Sequence, residues 1–441
     1  MPACPLDSAI YRELLGDGEI AGLFTDNAEL RAMLLVEGAL AEAQAAQGII
    51  PAESAAVIAR AAREVQLDPA ALADATARNA VPVPALVAAF RDALAAPEHA
   101  QYIHWGATSQ DIMDTGLMLR LRRVLEILAA RLDATLLALA ALAETHAELP
   151  MAARTYGQVA TPTSFGAVAA GWGRPLIALR TRLDGLRPRL LQVSLGGAAG
   201  TLSAMGPKGP AVRSALAEGL GLGDPRASWH SERAGIAELS GWLTALIVAL
   251  GRIGEDLVLM TQSGIGEVQL AAGGGSSTMP QKANPVEPSL LVALARQGVG
   301  LDANLQAAAL HRQQRDATAW MVEWLSLPQL CQIAGRALGV AEGLAGGLEP
   351  VPARMAAGLD DGLGLIHAEA LTFALARDMP RPEAQSAVTA LCREAQQSGT
   401  PLAALAADRW PGRDWGALLT PAAQLGTAPE DARVFASAAR A

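Results

Sequence analysis

Apolar residues recur along almost the whole chain at three- and four-residue spacing, the helical period, and hardly anywhere in strict alternation. Residues 29–47 place Leu30, Met33, Leu34, Leu40 and Ala41 on one broad face that only Glu37 interrupts. Asp26 and Asn27 precede that run as candidate caps, and Gly48 closes it. The next helix opens at Pro51-Ala52-Glu53, with proline in the first turn, where its missing N–H is no loss. Residues 111–149 run almost forty positions with no proline and one glycine, Gly116. At 1.5 Å per residue this is roughly 58 Å of helix. Residues 232–268 form a second such rod, and 289–310 and 316–342 continue the pattern, the last with an expected kink at Pro328. No convincing strand series emerges. The stretch 155–173, with Gln158, Pro162 and several glycines, reads as a loop leading into a helix.

Rods of this length bury their apolar faces only against one another. The pattern therefore predicts an all-α fold built on a central bundle of about five antiparallel long helices. Shorter helices broken by Pro and Gly come before and after it. The expected division is 1–105, 106–350 and 351–441, with the second boundary at Pro350-Val351-Pro352. Hydrophobic residues make up 51% of the chain and charged ones 18%, more apolar surface than one chain's core needs. The rods are thus expected to bury themselves against further copies. With aromatics at only 4%, small residues must let helices approach closely.

The net charge of −10 and pI near 5.2 exclude a nucleic-acid surface. A local Lys and Arg site within acidic bulk suits a small anion. Cys4, Cys331 and Cys392 are too far apart in sequence for a Cys-x-x-Cys or zinc pattern and fit a reducing cytoplasm. The first residues lack the basic and apolar regions of a signal peptide. The strongest apolar run, 239–251, is too short to span a bilayer. Six dispersed histidines offer no helical i,i+4 ligand pair, so no metal is expected. Dinucleotide, P-loop and nucleophile-elbow motifs are absent.

Polar patches break the apolar chain in five places. The most informative runs from Gly273 to Pro285, between two long helices, with three glycines, a serine pair, Lys282 and Asn284. Glycine lets a ligand approach the backbone, a serine oxygen deprotonated in a prepared site is a base, and Lys282 offers charge to an anion. An ordinary flexible connection is the alternative. His104 to Asp111 enters the first rod; Thr108 and Ser109 can cap that helix, Asp111 suits its first turn, and a helix N-terminus also receives carboxylates. Arg154-Thr155-Tyr156-Gly157-Gln158, Trp229 to Arg233, and His311 to Arg315 complete the set, with surface loop, helix cap and solvated helix end as their plain readings.

Gly275-Ser276-Ser277-Thr278-Met279-Pro280-Gln281-Lys282-Ala283-Asn284-Pro285 resembles the signature loop of the fumarase/aspartase superfamily, Gly-Ser-Ser-x-x-Pro-x-Lys-x-Asn-Pro. Thr108-Ser109-Gln110-Asp111 and Thr155-Tyr156-Gly157-Gln158 resemble its two other signature regions, in the same order. The resemblance spans essentially the whole chain. It implies an all-helical, three-domain homotetramer in which three subunits contribute to each active site. It also implies reversible β-elimination on a small polycarboxylate, without metal or cofactor. Ser276 would be the base, with Ser277 the alternative. Thr108, Ser109, Gln110, Thr155, Gln158, Lys282, Asn284 and Arg315 would bind substrate. Amine-releasing members carry a histidine where Tyr156 stands, and adenylosuccinate lyases an Arg-His-Asp motif where this chain has Asn79 to Pro84. A nitrogen leaving group needs a general acid. A carboxylate, with a pKa of about 4, does not. The resemblance is therefore strongest to the branch that cyclises a substrate carboxylate into a lactone. Gln281 and Ala283 depart from that branch's His-Lys-Arg and remove one cation. An adenylosuccinate- or argininosuccinate-lyase-like eliminating enzyme and a non-catalytic structural homologue are the competing readings.

Overall fold

The computed structural model describes residues 4–271, 273–275, 278–359 and 362–441. Five long helices dominate it: Ser109–Thr145, Phe165–Leu190, Ala234–Met260, Val286–Ala308 and Ala317–Gly347. The last carries Pro328 inside it. The rod expected over 232–268 stops at Met260, and the chain then turns through the left-handed Gly264 (φ 92°) and Gly266 (φ 61°) into strand Val268–Leu270. The helix expected at 29–47 runs Asp26–Ala46. Its cap is Thr25, one position before the expected Asp26-Asn27, whose hydroxyl accepts the Ala28 N–H at 3.3 Å.

The described residues contain two short sheets that helical periodicity hides. Strand β1 (Pro150–Thr155) pairs antiparallel with β2 (Gln158–Ser164), in register from Pro150↔Ser164 to Thr155↔Gln158 with an irregularity between Ala152 and Arg154. Strand β3 (Val268–Leu270) pairs with β4 (Leu348–Pro350). The β1–β2 connection is the two-residue turn Tyr156-Gly157, both with positive φ (53° and 76°), as a type I′ hairpin demands. Residues 155–164, expected as loop, are thus a hairpin. Pro162 disguised it, since proline is tolerated in a strand only at an edge or irregularity.

Two compact units account for the chain. The first comprises 1–130, 179–248 and 294–336. Its core joins Leu30, Met33, Leu34, Val87 and Phe90 to Ile112, Met113, Val193, Leu195 and Trp320. The second comprises 131–178, 249–293 and 337–441 and holds both sheets. It contains a separate apolar cluster of Leu371, Leu375, Val388, Leu391, Leu402 and Trp415.

Within the second unit, small residues set helix approach as the composition predicts. The Gly166 N–H bonds the His146 carbonyl at 2.9 Å, and a Cβ on Gly166 would stand 2.3 Å from the Ala143 carbonyl oxygen. Gly166→Ala must therefore push two backbones apart. The expected loss is about 1–3 kcal/mol, as for overpacking, read as a lower urea midpoint at fixed protein concentration; an unchanged midpoint would refute the close-packing argument.

Candidate active site

The start of the Ser109–Thr145 helix is built around Asp111, which is fully buried. Its carboxylate accepts the N–H groups of Thr108 (3.0 Å), Gly196 (2.7 Å) and Gly197 (2.9 Å), and His230 Nε2 at 2.7 Å. A carboxylate can only accept, so Nε2 is the donor. One turn on, Thr115 Oγ1 donates to the Ser194 carbonyl (3.0 Å) and accepts its N–H (2.8 Å). These bonds pin the segment 194–197 and residue 230 to the first turn. Thr108 and Ser109 stay half-buried at the helix start, where free N–H groups and the helix dipole favour a carboxylate.

Gln110 is fully buried, and its amide is engaged inside the unit. Nε2 donates to the His230 carbonyl (2.9 Å) and to Asp114 Oδ2 (3.1 Å). Oε1 accepts Arg315 Nε at 3.0 Å, and Arg315 also donates to the Ala198 carbonyl at 3.3 Å. Gln110 thus orients the exposed Arg315. Next to Arg315, Asp316 caps the Ala317–Gly347 helix by accepting the N–H groups of Thr318 (3.0 Å) and Ala319 (3.3 Å). The Arg312 guanidinium, 2.6 Å from its other oxygen, and the N–H groups of Ala319 and Arg312 hold the Asp316 carboxyl well below the usual range.

Beneath Gln110 lies a buried charge cluster that pattern reading missed. Arg233 donates to Asp114 (2.7 and 3.2 Å) and to Glu323 (2.8 and 2.5 Å), and all three side chains are at most 2% exposed. Trp320 Nε1 donates to Asp114 at 3.2 Å, and the Trp229 ring lies 4.8 Å from the guanidinium carbon. Burial alone would lower the Arg233 pKa, but Asp114 and Glu323 outweigh it and raise it above its ordinary value. Burial likewise opposes the ionised Glu323, yet Arg233 holds that carboxyl below its ordinary range. The signals in sequence were Arg233 at the end of the 229–233 patch, read only as a helix cap, and Glu323 between Trp320 and Trp324 on an apolar helix. A cavity of about 660 Å³ in the same unit has Asp114 and Glu323 in its wall alongside Trp320, Trp324 and Arg120, but none of the sequence-predicted site residues lines it.

The remaining expected residues belong to the second unit. Thr155 and Gln158 are exposed register partners flanking the hairpin turn. The hairpin is anchored by Arg154, which forks onto the buried Glu267 carboxylate at 2.9 and 2.7 Å. The glycine-serine loop is closed at its base by paired bonds between Gly274 and Asn284, at 3.0 and 2.8 Å. A Cβ on Gly274 would stand 2.4 Å from Val286 Cγ2, so any side chain there requires Val286 to move. Lys282 is exposed, with its N–H on the Met279 carbonyl, and Asn284 is half-buried. Ser276 and Ser277 lie outside the described residues.

A lyase family model matches residues 17–300, more than half the chain. The 3-carboxy-cis,cis-muconate cycloisomerase of Pseudomonas aeruginosa is 42% identical over 418 residues, covering 92% of this chain and 91% of that protein. The cycloisomerase of the same name from Bradyrhizobium diazoefficiens is 40% identical over 88% of this chain and 87% of its own. The crystal structure of the 3-carboxy-cis,cis-muconate lactonizing enzyme from Pseudomonas putida matches with a TM-score of 0.92 at 36% identity, covering 98% of this chain and 99% of that one. The chain belongs to this lyase family, the fumarase/aspartase superfamily, and has its all-α fold.

Removing Arg233 leaves two buried carboxylates without their shared cation, a loss of about 3–5 kcal/mol. Arg233→Met should unfold at correspondingly lower urea. The pH response should also invert. The native Glu323 contribution is complete above the ordinary carboxyl pKa of about 4.3 and fades as pH falls through its depressed value. In the variant, the unpaired buried carboxyl is raised instead, so stability should climb from pH 7 to pH 5. A parallel pH response in both proteins would overturn this account.

Proposed function

We propose that this protein is a cofactor-free cycloisomerase, an intramolecular lyase interconverting 3-carboxy-cis,cis-muconate and 4-carboxymuconolactone in protocatechuate (β-ketoadipate) catabolism. The observation that carries it is the Gln110–Arg315 lock beside the half-exposed Thr108-Ser109 helix start. It presents a cation, hydroxyls and a helix N-terminus to a carboxylate, in a chain whose position 156 is tyrosine rather than the histidine of amine-releasing relatives.

In the lactonising direction a substrate carboxylate oxygen bonds to a diene carbon, the π electrons shift, and the neighbouring carbon takes a proton. Ser276 delivers that proton and, in the reverse direction, removes it as the alkoxide. Lys282 and Asn284 stabilise the negative charge that gathers on the adjoining carboxylate in the aci-form. Thr108, Ser109, Thr155, Gln158 and Arg315 hold substrate carboxylates, and Gln110 acts through Arg315. No step requires a metal or cofactor, because the departing group in the reverse reaction is a carboxylate that needs no general acid.

The working assembly in this reading is a homotetramer with active sites shared between subunits. Leu137, Val248, Leu259, Val299 and Leu325 are 45–68% exposed on long helices, and Tyr156 is fully exposed at the hairpin tip. A cytoplasmic location fits three free cysteines, and no described helix is long and apolar enough to cross a membrane. A three-part division at about 105 and 350 belongs to the same reading; the separate cluster of residues 371–419 supports its second boundary.

The deciding measurement follows diene absorbance of 3-carboxy-cis,cis-muconate with the purified protein, with adenylosuccinate and argininosuccinate in parallel. Diene loss with lactone formation is expected. Fumarate released from either succinate compound would favour an eliminating lyase instead, and a folded protein that binds none of them a structural homologue. Ser276→Ala should lower turnover by at least about 100-fold with the assembly intact; substantial residual activity would refute the serine assignment. Lys282→Ala should reduce kcat by about 100- to 1000-fold.

A further inference from the structure

Glu37 is the one charged residue interrupting the apolar face of the Asp26–Ala46 helix, and it is 1% exposed. Its Oε1 lies 2.7 Å from His104 Nδ1, while the buried Oε2 has no hydrogen-bond partner. Two turns further along the same helix, the fully buried Gln44 donates to the Trp105 carbonyl at 2.6 Å. One helix face therefore grips two consecutive residues immediately before the Thr108-Ser109 helix start. The gripped backbone reverses sharply. His104 (φ 64°) and Gly106 (φ 70°) are both left-handed, a region uncommon for residues with side chains, though histidine and asparagine enter it more readily than most. A leucine at position 37 would fill the core without burying a charge. The carboxylate is explained by what it holds.

We propose that Glu37, acting through His104, is a positioning residue for carboxylate recognition: the pair fixes the reversal at 104–106 that presents Thr108 and Ser109 to substrate. The far end of this segment is already fixed, by the Thr108 N–H on Asp111. The near end is held by the Glu37–His104 and Gln44–Trp105 bonds, with the Arg91 guanidinium on the Ile103 carbonyl at 2.9 Å just before them. The inference rests on the reading of Thr108 and Ser109 as carboxylate-binding residues. Three charged groups act on His104. Burial pulls its pKa down, but Glu37, with Asp111 behind it, outweighs burial and the Arg91 guanidinium, and the net shift is upward. The charged pair is thus complete below the ordinary histidine pKa of about 6.5 and is lost as pH rises through the raised value.

The test uses Glu37→Gln, His104→Asn and the double variant of the full chain. Asparagine tolerates left-handed φ but cannot carry the charge. Each single variant should raise KM for 3-carboxy-cis,cis-muconate about tenfold with kcat within about twofold. The double variant should match the worse single variant rather than their product. The alkaline rise in KM should move to lower pH in Glu37→Gln and vanish in His104→Asn. Multiplicative effects, or a lower urea midpoint with KM and its pH profile unmoved, would reduce the pair to a structural role and overturn the proposal. If Glu37→Gln does not fold, His104→Asn decides by the same KM and pH readouts. If the unaltered protein does not turn over this substrate, the catalytic reading fails, and hydrogen exchange then judges the clamp alone. The amides of 105–108 should exchange faster in Glu37→Gln while those of 112–120 do not change; unaltered exchange at 105–108 refutes it.

Discussion

Arg233, held between Asp114 and Glu323 with no exposure of its own, is the interaction on which the first unit's polar architecture depends. A buried guanidinium is tolerable only when its charge and donors are met, and here two carboxylates from distant parts of the chain meet them. The consequence is positional. Asp114 lies one turn beyond Gln110, Glu323 lies on the helix that Asp316 caps, and Arg233 stands at the entrance to the Ala234–Met260 helix. Three helices are tied by groups that cannot shift without stranding a charge. Apolar side chains could supply comparable stability, but they would tolerate sliding by a rotamer's width.

Above that anchor the same logic repeats with fewer charges. Asp111 fixes the loop at 196–197 to the helix start, Gln110 converts the buried cluster into a fixed orientation for Arg315, and Glu37 and Gln44 restrain the approach at 104–105. Each is a buried polar group whose partner belongs to a different segment. Recognition of a small polycarboxylate requires donors held to within a fraction of an ångström. Thr108 and Ser109 have short side chains, so the backbone carrying them has to supply that accuracy. In the second unit the Arg154–Glu267 fork does the same for the hairpin, and the Gly274–Asn284 bridge for the base of the glycine-serine loop. Thr155, Gln158 and Lys282 are exposed on this restrained backbone.

The helical content, four of the five long helices and the three signature regions were legible in the chain itself; the start of the fifth, at Phe165, fell in a stretch read as loop. Periodicity reports burial of one face, and a motif of fixed spacing reports a loop of fixed chemistry. The hairpin at 150–164 was not legible, because two short strands with an interior proline give no alternating signal and their pairing is non-local. The end of the second rod at Met260 gave no signal in periodicity, because the turn after it is made by backbone conformation, with Gly264 and Gly266 left-handed. The roles of Gln110 and Glu37 were hidden for a different reason. In sequence Gln110 is one more polar residue of a binding motif and Glu37 a flaw in an apolar face. Only their partners, 205 and 67 positions away, show that one orients Arg315 and the other holds His104. By itself the sequence determined which long segments are helical, where the signature motifs lie and which family the chain belongs to, since these follow from local spacing. The tertiary structure alone decided which polar side chains stay exposed and which are buried holding others still, because that depends on contacts between residues far apart in the chain.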